Sequence, residues 1–144
     1  MNINQSGIDL VKKFESCRLV AYADPGTGGS PWSIGYGHIN GIKEGDTCTE
    51  EQATDWLATD LHRAETCIQQ SVSYPLTENE FSALVSFVFN VGCGNFLGST
   101  LCKLINDGRL DECGPQFLRW NHANGQVLDG LTKRRKAEAE LFQS

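Results

Sequence analysis

Ile8, Val11 and Phe14 recur at helical spacing behind Ser6 and Asp9, which read as a capping box, and this predicts an N-terminal helix over about 6–17. From Leu19 to Gly45 the pattern changes to short apolar runs broken by Gly and Pro, the texture of strands and tight turns. In Trp32-Ser33-Ile34-Gly35-Tyr36-Gly37 a strand alternation places three bulky side chains on one face and Ser33, Gly35 and Gly37 on the other. That second face is nearly bare backbone, which suits close approach by a ligand or another backbone and equally a bulge or barrel-like bend.

Beyond Gly45 the period becomes helical to the end of the chain. Thr49 with Gln52 forms a capping box, and Ala53, Trp56, Leu57, Leu61, Ala64 and Ile68 trace one apolar stripe of a long helix. Thr77 with Glu80 opens a second helix, stopped by Gly92, that is apolar nearly all round and therefore central and buried. Shorter helices are predicted near Leu101–Asn106 and Leu118–Trp120, an ordered loop from Asn121 to Gly130, and a last helix from about Thr132 to Phe142. The expected plan is α+β and predominantly α, one domain over 1–144. It comprises the N-terminal helix, a small Gly-rich β-lobe over about 18–47, and a helical lobe over about 49–144, with a ligand cleft between the lobes.

The length of 144 residues suits a single core, and the formal net charge of −6 disfavours nucleic acid as a partner. Lys133, Arg134, Arg135 and Lys136 form a basic run that reads as a solvated helix face. The N-terminal residues lack a cationic segment followed by an apolar one, so no secretory signal is read there. The most apolar stretch, Phe81–Val91, falls short of the roughly 18 apolar residues of a membrane span, so stable membrane insertion is not expected. Six cysteines, at 17, 48, 67, 93, 102 and 113, suit an oxidising compartment; sequence does not choose among their pairings. No Cys-x-x-Cys pair is present, which disfavours zinc, and no metal or cofactor is expected.

Candidate chemistry lies at Glu15 and Asp24. Cleavage of a glycosidic bond needs one carboxylic acid to protonate the leaving oxygen and commonly a second carboxylate to hold water or attack the sugar. Glu15 falls at a helix C-terminus, where the negative pole of the dipole disfavours its charged form. Asp24 opens the Gly-rich segment, where exposure keeps a carboxylate ionised.

The run Phe14-Glu15-Ser16-Cys17-Arg18-Leu19-Val20-Ala21-Tyr22-Ala23-Asp24, followed by Trp32-Ser33-Ile34-Gly35-Tyr36-Gly37-His38, resembles the active-site region of the bacteriophage-type lysozymes. The likeness continues through Phe89-Asn90-Val91-Gly92, Ser99-Thr100-Leu101, and Trp120 to Gly130-Leu131 and Arg134-Arg135-Lys136-Ala137-Glu138, in order over nearly the whole chain. The resemblance implies a lysozyme-like two-lobed fold with a long connecting helix. It implies an endolysin that hydrolyses the β-1,4 bond between N-acetylmuramic acid and N-acetylglucosamine in peptidoglycan, with inversion. Glu15 would be the proton donor, Asp24 would align the water, and Ser33 would stand where the family has Thr.

Gly35, Tyr36, His38, Arg134 and Arg135 join the implied substrate site, His38 as structural partner of an acidic side chain and one of the two arginines near Glu15. The Asp24-to-Ser33 spacing is longer than in compact family members, which leaves Thr27 and Ser30 as alternative hydroxyls. The resemblance further implies a monomer, made in the host cytoplasm, released by a separate holin and acting on the cell wall. Competing readings are a lytic transglycosylase, a chitinase, an inert sugar-binding module, and a thiol hydrolase built on Cys17 and His38.

Overall fold

A computed structural model describes residues 1–144. Seven α-helices dominate it, with two small two-stranded sheets. Two units are distinguished, one comprising Glu15–His62 and the other Met1–Phe14 with Arg63–Ser144; their boundaries fall inside helices α1 (Gln5–Glu15) and α2 (Glu50–Ser71).

Helix α1 starts earlier than the sequence reading placed it, because Asn4 is the cap: its side-chain oxygen accepts from the Gly7 amide at 3.0 Å, while Ser6 is exposed. It also ends earlier, at Glu15, because Ser16 turns into the left-handed region at φ +59°. A non-glycine residue there costs roughly 1–2 kcal/mol, so the stop is imposed by the surrounding structure and not by local preference. In the larger unit, a Cβ on Gly7 would stand 2.8 Å from Ser82 Cβ, so only glycine lets α1 lie this close to α3 (Glu78–Val91).

The Thr49–Gln52 box forms reciprocally at 3.0 and 3.1 Å and starts α2. Its stripe of Ala53, Leu57, Leu61, Ala64 and Ile68 is buried as the periodicity predicts. Helix α3 carries the full Thr77–Glu80 capping box and ends at Gly92. Every residue from Phe81 to Val88 is buried, which makes it the core helix of its unit. Around it, Phe87 meets Phe96, Phe117 and Trp120 edge-on, at ring-centroid distances of 6.3, 5.4 and 5.8 Å.

Short helices α4 (Cys93–Leu97), α5 (Thr100–Asn106) and α6 (Gly114–Leu118) follow, and α7 (Asp129–Gln143) packs on α3 and α6. The expected loop at 121–130 contains a hairpin instead, His122–Ala123 paired with Gln126–Val127. Its signal was Asn124-Gly125, the dipeptide of a two-residue turn with both residues at positive φ, here +52° and +78°.

The basic run departs furthest from expectation. Lys133 and Lys136 are exposed, but Arg134 and Arg135 are 4% and 0% exposed, so the run is not a solvated face. Both guanidiniums close on Glu138, Arg134 Nε at 3.2 Å and Arg135 Nε at 2.8 Å, and Ser86 donates its hydroxyl to the same carboxylate at 2.5 Å. Burial pushes the Glu138 carboxyl up, opposed by the charges of Arg135 and Arg134 and by the Ser86 hydroxyl.

Cys67 and Cys93 form a disulfide, resolving part of the pairing the sequence left open, while the other four cysteines are free thiols. It closes a loop with a sequence separation of 26, worth about 3.5 kcal/mol in chain entropy. No helix is long and apolar enough to cross a membrane.

Candidate active site

Glu15, Asp24, Ser33, Gly35, Tyr36 and His38 all belong to the Glu15–His62 unit. The chain leaves α1 at Glu15, turns at Ser16 and enters β1 (Arg18–Tyr22), which pairs antiparallel with β2 (Ser33–Gly35). The register sets Arg18 opposite Gly35 and Tyr22 opposite Ser33. Ser33 thus lies across from a residue two positions before Asp24, and the long intervening segment is taken up as a loop outside the ladder.

That loop closes on Asp24 itself. Asp24 Oδ2 accepts from the amides of Gly26 and Thr27 at 3.0 and 3.2 Å, and the Asp24 amide donates to Gly29 O at 2.9 Å. The Thr27 hydroxyl donates to Ser30 O at 2.8 Å and accepts from the Gly29 amide at 3.2 Å. Thr27 is therefore bound up in the turn, with its hydroxyl proton and one lone pair committed.

The segment Trp32–Gly37 is not the continuous strand that alternation predicts. It reverses after Gly35: Ile34 and His38 exchange both backbone bonds at 2.9 Å around the Gly35-Tyr36-Gly37 turn, with φ of +62° and +85° at the two glycines. The two glycines consequently do not share a face. A Cβ on Gly35 would stand 2.9 Å from Ala53 Cβ on α2, whereas one on Gly37 would stand 3.3 Å from Glu15 Oε1. Gly37 brings bare backbone to the carboxylate, and Gly35 is buried packing instead.

The Tyr36 hydroxyl is hydrogen-bonded to the Cys17 thiol, and burial first, then Cys17 and Glu50, push the phenol above its usual range. Cys48 is likewise pushed up, by burial and then by Cys17, against a bond from the Gly35 amide. His38 is 8% exposed; its Nδ1 lies 2.8 Å from Asp60 Oδ2, and its ring stacks on Trp56 at 4.7 Å. Both partners come from α2, so the acidic partner that the resemblance implied for His38 is Asp60. Sequence placed Trp56 only in an apolar stripe and did not single out Asp60, because pairing across 22 positions carries no local signature.

Arg134 and Arg135, which the resemblance implied for the substrate site, belong to the other unit, where both are buried. The reason is the demand of Glu138: a buried carboxylate must be paired, and the two nearest helical neighbours supply the charge.

A helix ended at a glutamate, a short β-hairpin whose glycine turn meets that glutamate, and a helical body define the lysozyme-like class of α+β proteins. The phage lysozyme family model matches residues 12–138. An endolysin of Acyrthosiphon pisum secondary endosymbiont phage 1 is 38% identical over 148 aligned positions, covering 100% of this chain and 99% of that one. The muramidase domain of SpmX from Asticaccaulis excentricus superposes with a TM-score of 0.91 at 38% identity, covering 99% of this chain and 98% of that one. A crystal structure of a P22 lysozyme mutant gives 0.86 at 36% identity, covering 100% and 99%. The chain belongs to the phage lysozyme family.

Proposed function

We infer that the chain is an endolysin: it hydrolyses the β-1,4 bond between N-acetylmuramic acid and N-acetylglucosamine of bacterial peptidoglycan, and its action lyses the host cell. The observation that carries the reading is the Glu15 carboxylate, set at the end of α1 against the Gly37 backbone, in a chain whose family match runs from residue 12 to 138.

Glu15 is the general acid. It protonates the bridging oxygen as the glycosidic bond lengthens and the leaving sugar departs as an alcohol. Asp24 is the second carboxylate and holds the water that adds to the opposite face of the ring, so the anomeric centre inverts. Oδ2 of Asp24 is taken by two amides, which leaves Oδ1 for that water. Ser33, on the strand opposite Tyr22, supplies a hydroxyl able both to donate to and accept from the water, the role of the family Thr. Tyr36 and the Gly37 backbone line the approach to Glu15. His38 acts through structure, held by Asp60 and Trp56.

The test uses purified peptidoglycan with wild-type, Glu15→Gln and Asp24→Asn proteins, product ends being read by mass spectrometry. Hydrated reducing ends and a loss of at least about a hundredfold in both variants are expected. Anhydro-sugar ends would replace hydrolysis by transglycosylation, and full activity of Glu15→Gln would remove the acid from the mechanism. The same reading has the enzyme acting as a monomer on the cell wall after release from the host cytoplasm by a separate holin. Its check is that cells expressing the chain lyse only when such a pore protein is co-expressed.

A further inference from the structure

The loop between β1 and β2 is built as a clamp on one oxygen of Asp24. Seven of its ten residues, Asp24 to Ser30, close on themselves at both levels. In the backbone, Asp24 O accepts from the amides of Thr27 and Gly28 at 3.2 and 2.8 Å, while the Asp24 amide donates to Gly29 O at 2.9 Å. In the side chains, Asp24 Oδ2 takes the Gly26 and Thr27 amides, and the Thr27 hydroxyl ties Gly29 to Ser30. A Cβ on Gly26 would stand 3.1 Å from Asp24 Oδ2, close enough to press on the gripped carboxylate oxygen.

Thr27 is the one side chain besides Asp24 that bonds within the loop, and it does so from the apex, as donor and acceptor at once. Removing its hydroxyl frees the Gly29 amide and the Ser30 carbonyl, the two groups that hold the return half of the loop against the half that grips the carboxylate. Three glycines, Gly26, Gly28 and Gly29, give this segment little stiffness of its own, so side-chain bonds must supply it.

We propose that Thr27 is a positioning residue for hydrolysis: through the Asp24–Ser30 loop it holds the Asp24 carboxylate in the one rotamer that turns Oδ1 toward the attacking water. The inference rests on the reading of Asp24 as the water-holding carboxylate. Thr27 touches neither water nor sugar, and its effect is on how often Asp24 is correctly aimed. An exposed pair of neutral hydrogen bonds of this kind sets the scale at about a threefold to tenfold loss in kcat.

The experiment measures kcat, KM and thermal midpoint on a soluble peptidoglycan fragment for Thr27→Val, Thr27→Ser, Asp24→Asn and the Asp24→Asn/Thr27→Val double variant. Valine keeps the branched shape and removes only the hydroxyl. Expected are a kcat loss of that size in Thr27→Val with KM and thermal midpoint unchanged, recovery to near wild type in Thr27→Ser, and no additional loss when Thr27→Val is added to Asp24→Asn. Wild-type kcat in Thr27→Val beside an inactive Asp24→Asn overturns the role of Thr27 while leaving that of Asp24 standing. A fully active Asp24→Asn removes the reading of Asp24 on which the inference rests. A lowered thermal midpoint that Thr27→Ser does not restore, or equal added losses in the double variant, makes Thr27 a stabilising residue only and overturns the proposal.

Discussion

The Cα of Gly37 faces the Glu15 carboxylate so closely that a methyl group placed on it would lie 3.3 Å from Oε1. The approach depends on two residues at positive φ, Ser16 directly after the glutamate and Gly37 itself. One sends the chain back from the helix end, and the other presents peptide backbone where any larger residue would present a side chain.

Gly37→Ala is therefore expected to cost activity beyond its cost in stability. The added methyl both strains a backbone at φ +85° and displaces the carboxylate oxygen, and a misplaced acid lowers kcat/KM by about tenfold or more. Gly41→Ala is the control, because Gly41 has a similar φ of +74° and open space where the methyl would go. Turnover of cell-wall fragments should fall in the first variant and stay within about twofold in the second, with comparable shifts in thermal midpoint.

Glu138→Gln should unfold more easily than any surface charge change. Arg134 and Arg135 are both buried against this carboxylate, so neutralising it removes the negative charge from two interior ion pairs at once. Loss of one member of a buried ionic group costs about 3–5 kcal/mol, and urea titration against the exposed control Glu140→Gln measures it.

Alkaline conditions provide a third test. Cys113 has no exposed surface, and burial first, with Asp111, Glu112 and Glu80 adding to it, moves its thiol from 9.0 to about 11. The folded thiol is thus the weaker acid, and the unfolded chain loses its proton first. The contribution is complete below about pH 9 and disappears as pH rises toward about 11. Denaturation midpoints followed across that window should fall, with a shallower decline in Cys113→Ala.

Much of this fold could be read before any coordinates, and for identifiable reasons. The reciprocal boxes at Thr49 and Thr77 and the stripe on α2 are local patterns, so they survive into the structure unchanged. What sequence misread depended on distant partners. Trp32–Gly37 alternates like a strand, but Ile34 finds His38 and the chain doubles back. The arginine run looks solvated until Glu138 and Ser86 are brought against it. Glu15, Asp24 and Ser33 were legible as candidates by their motif; the grip of the loop on Asp24 was not, since it is carried mostly by backbone amides that every residue possesses.

The cystine between Cys67 and Cys93 makes a covalent ring of the chain between the end of α2 and the start of α4, a ring that contains all of α3. The exposed connection at Ser73–Pro75 lies inside it. A protease that nicks this connection leaves one molecule of unchanged mass apart from the added water, which separates into two fragments only after reduction. An enzyme released among the proteases of a lysing cell would in this way tolerate a cut beside its central helix without shedding either half.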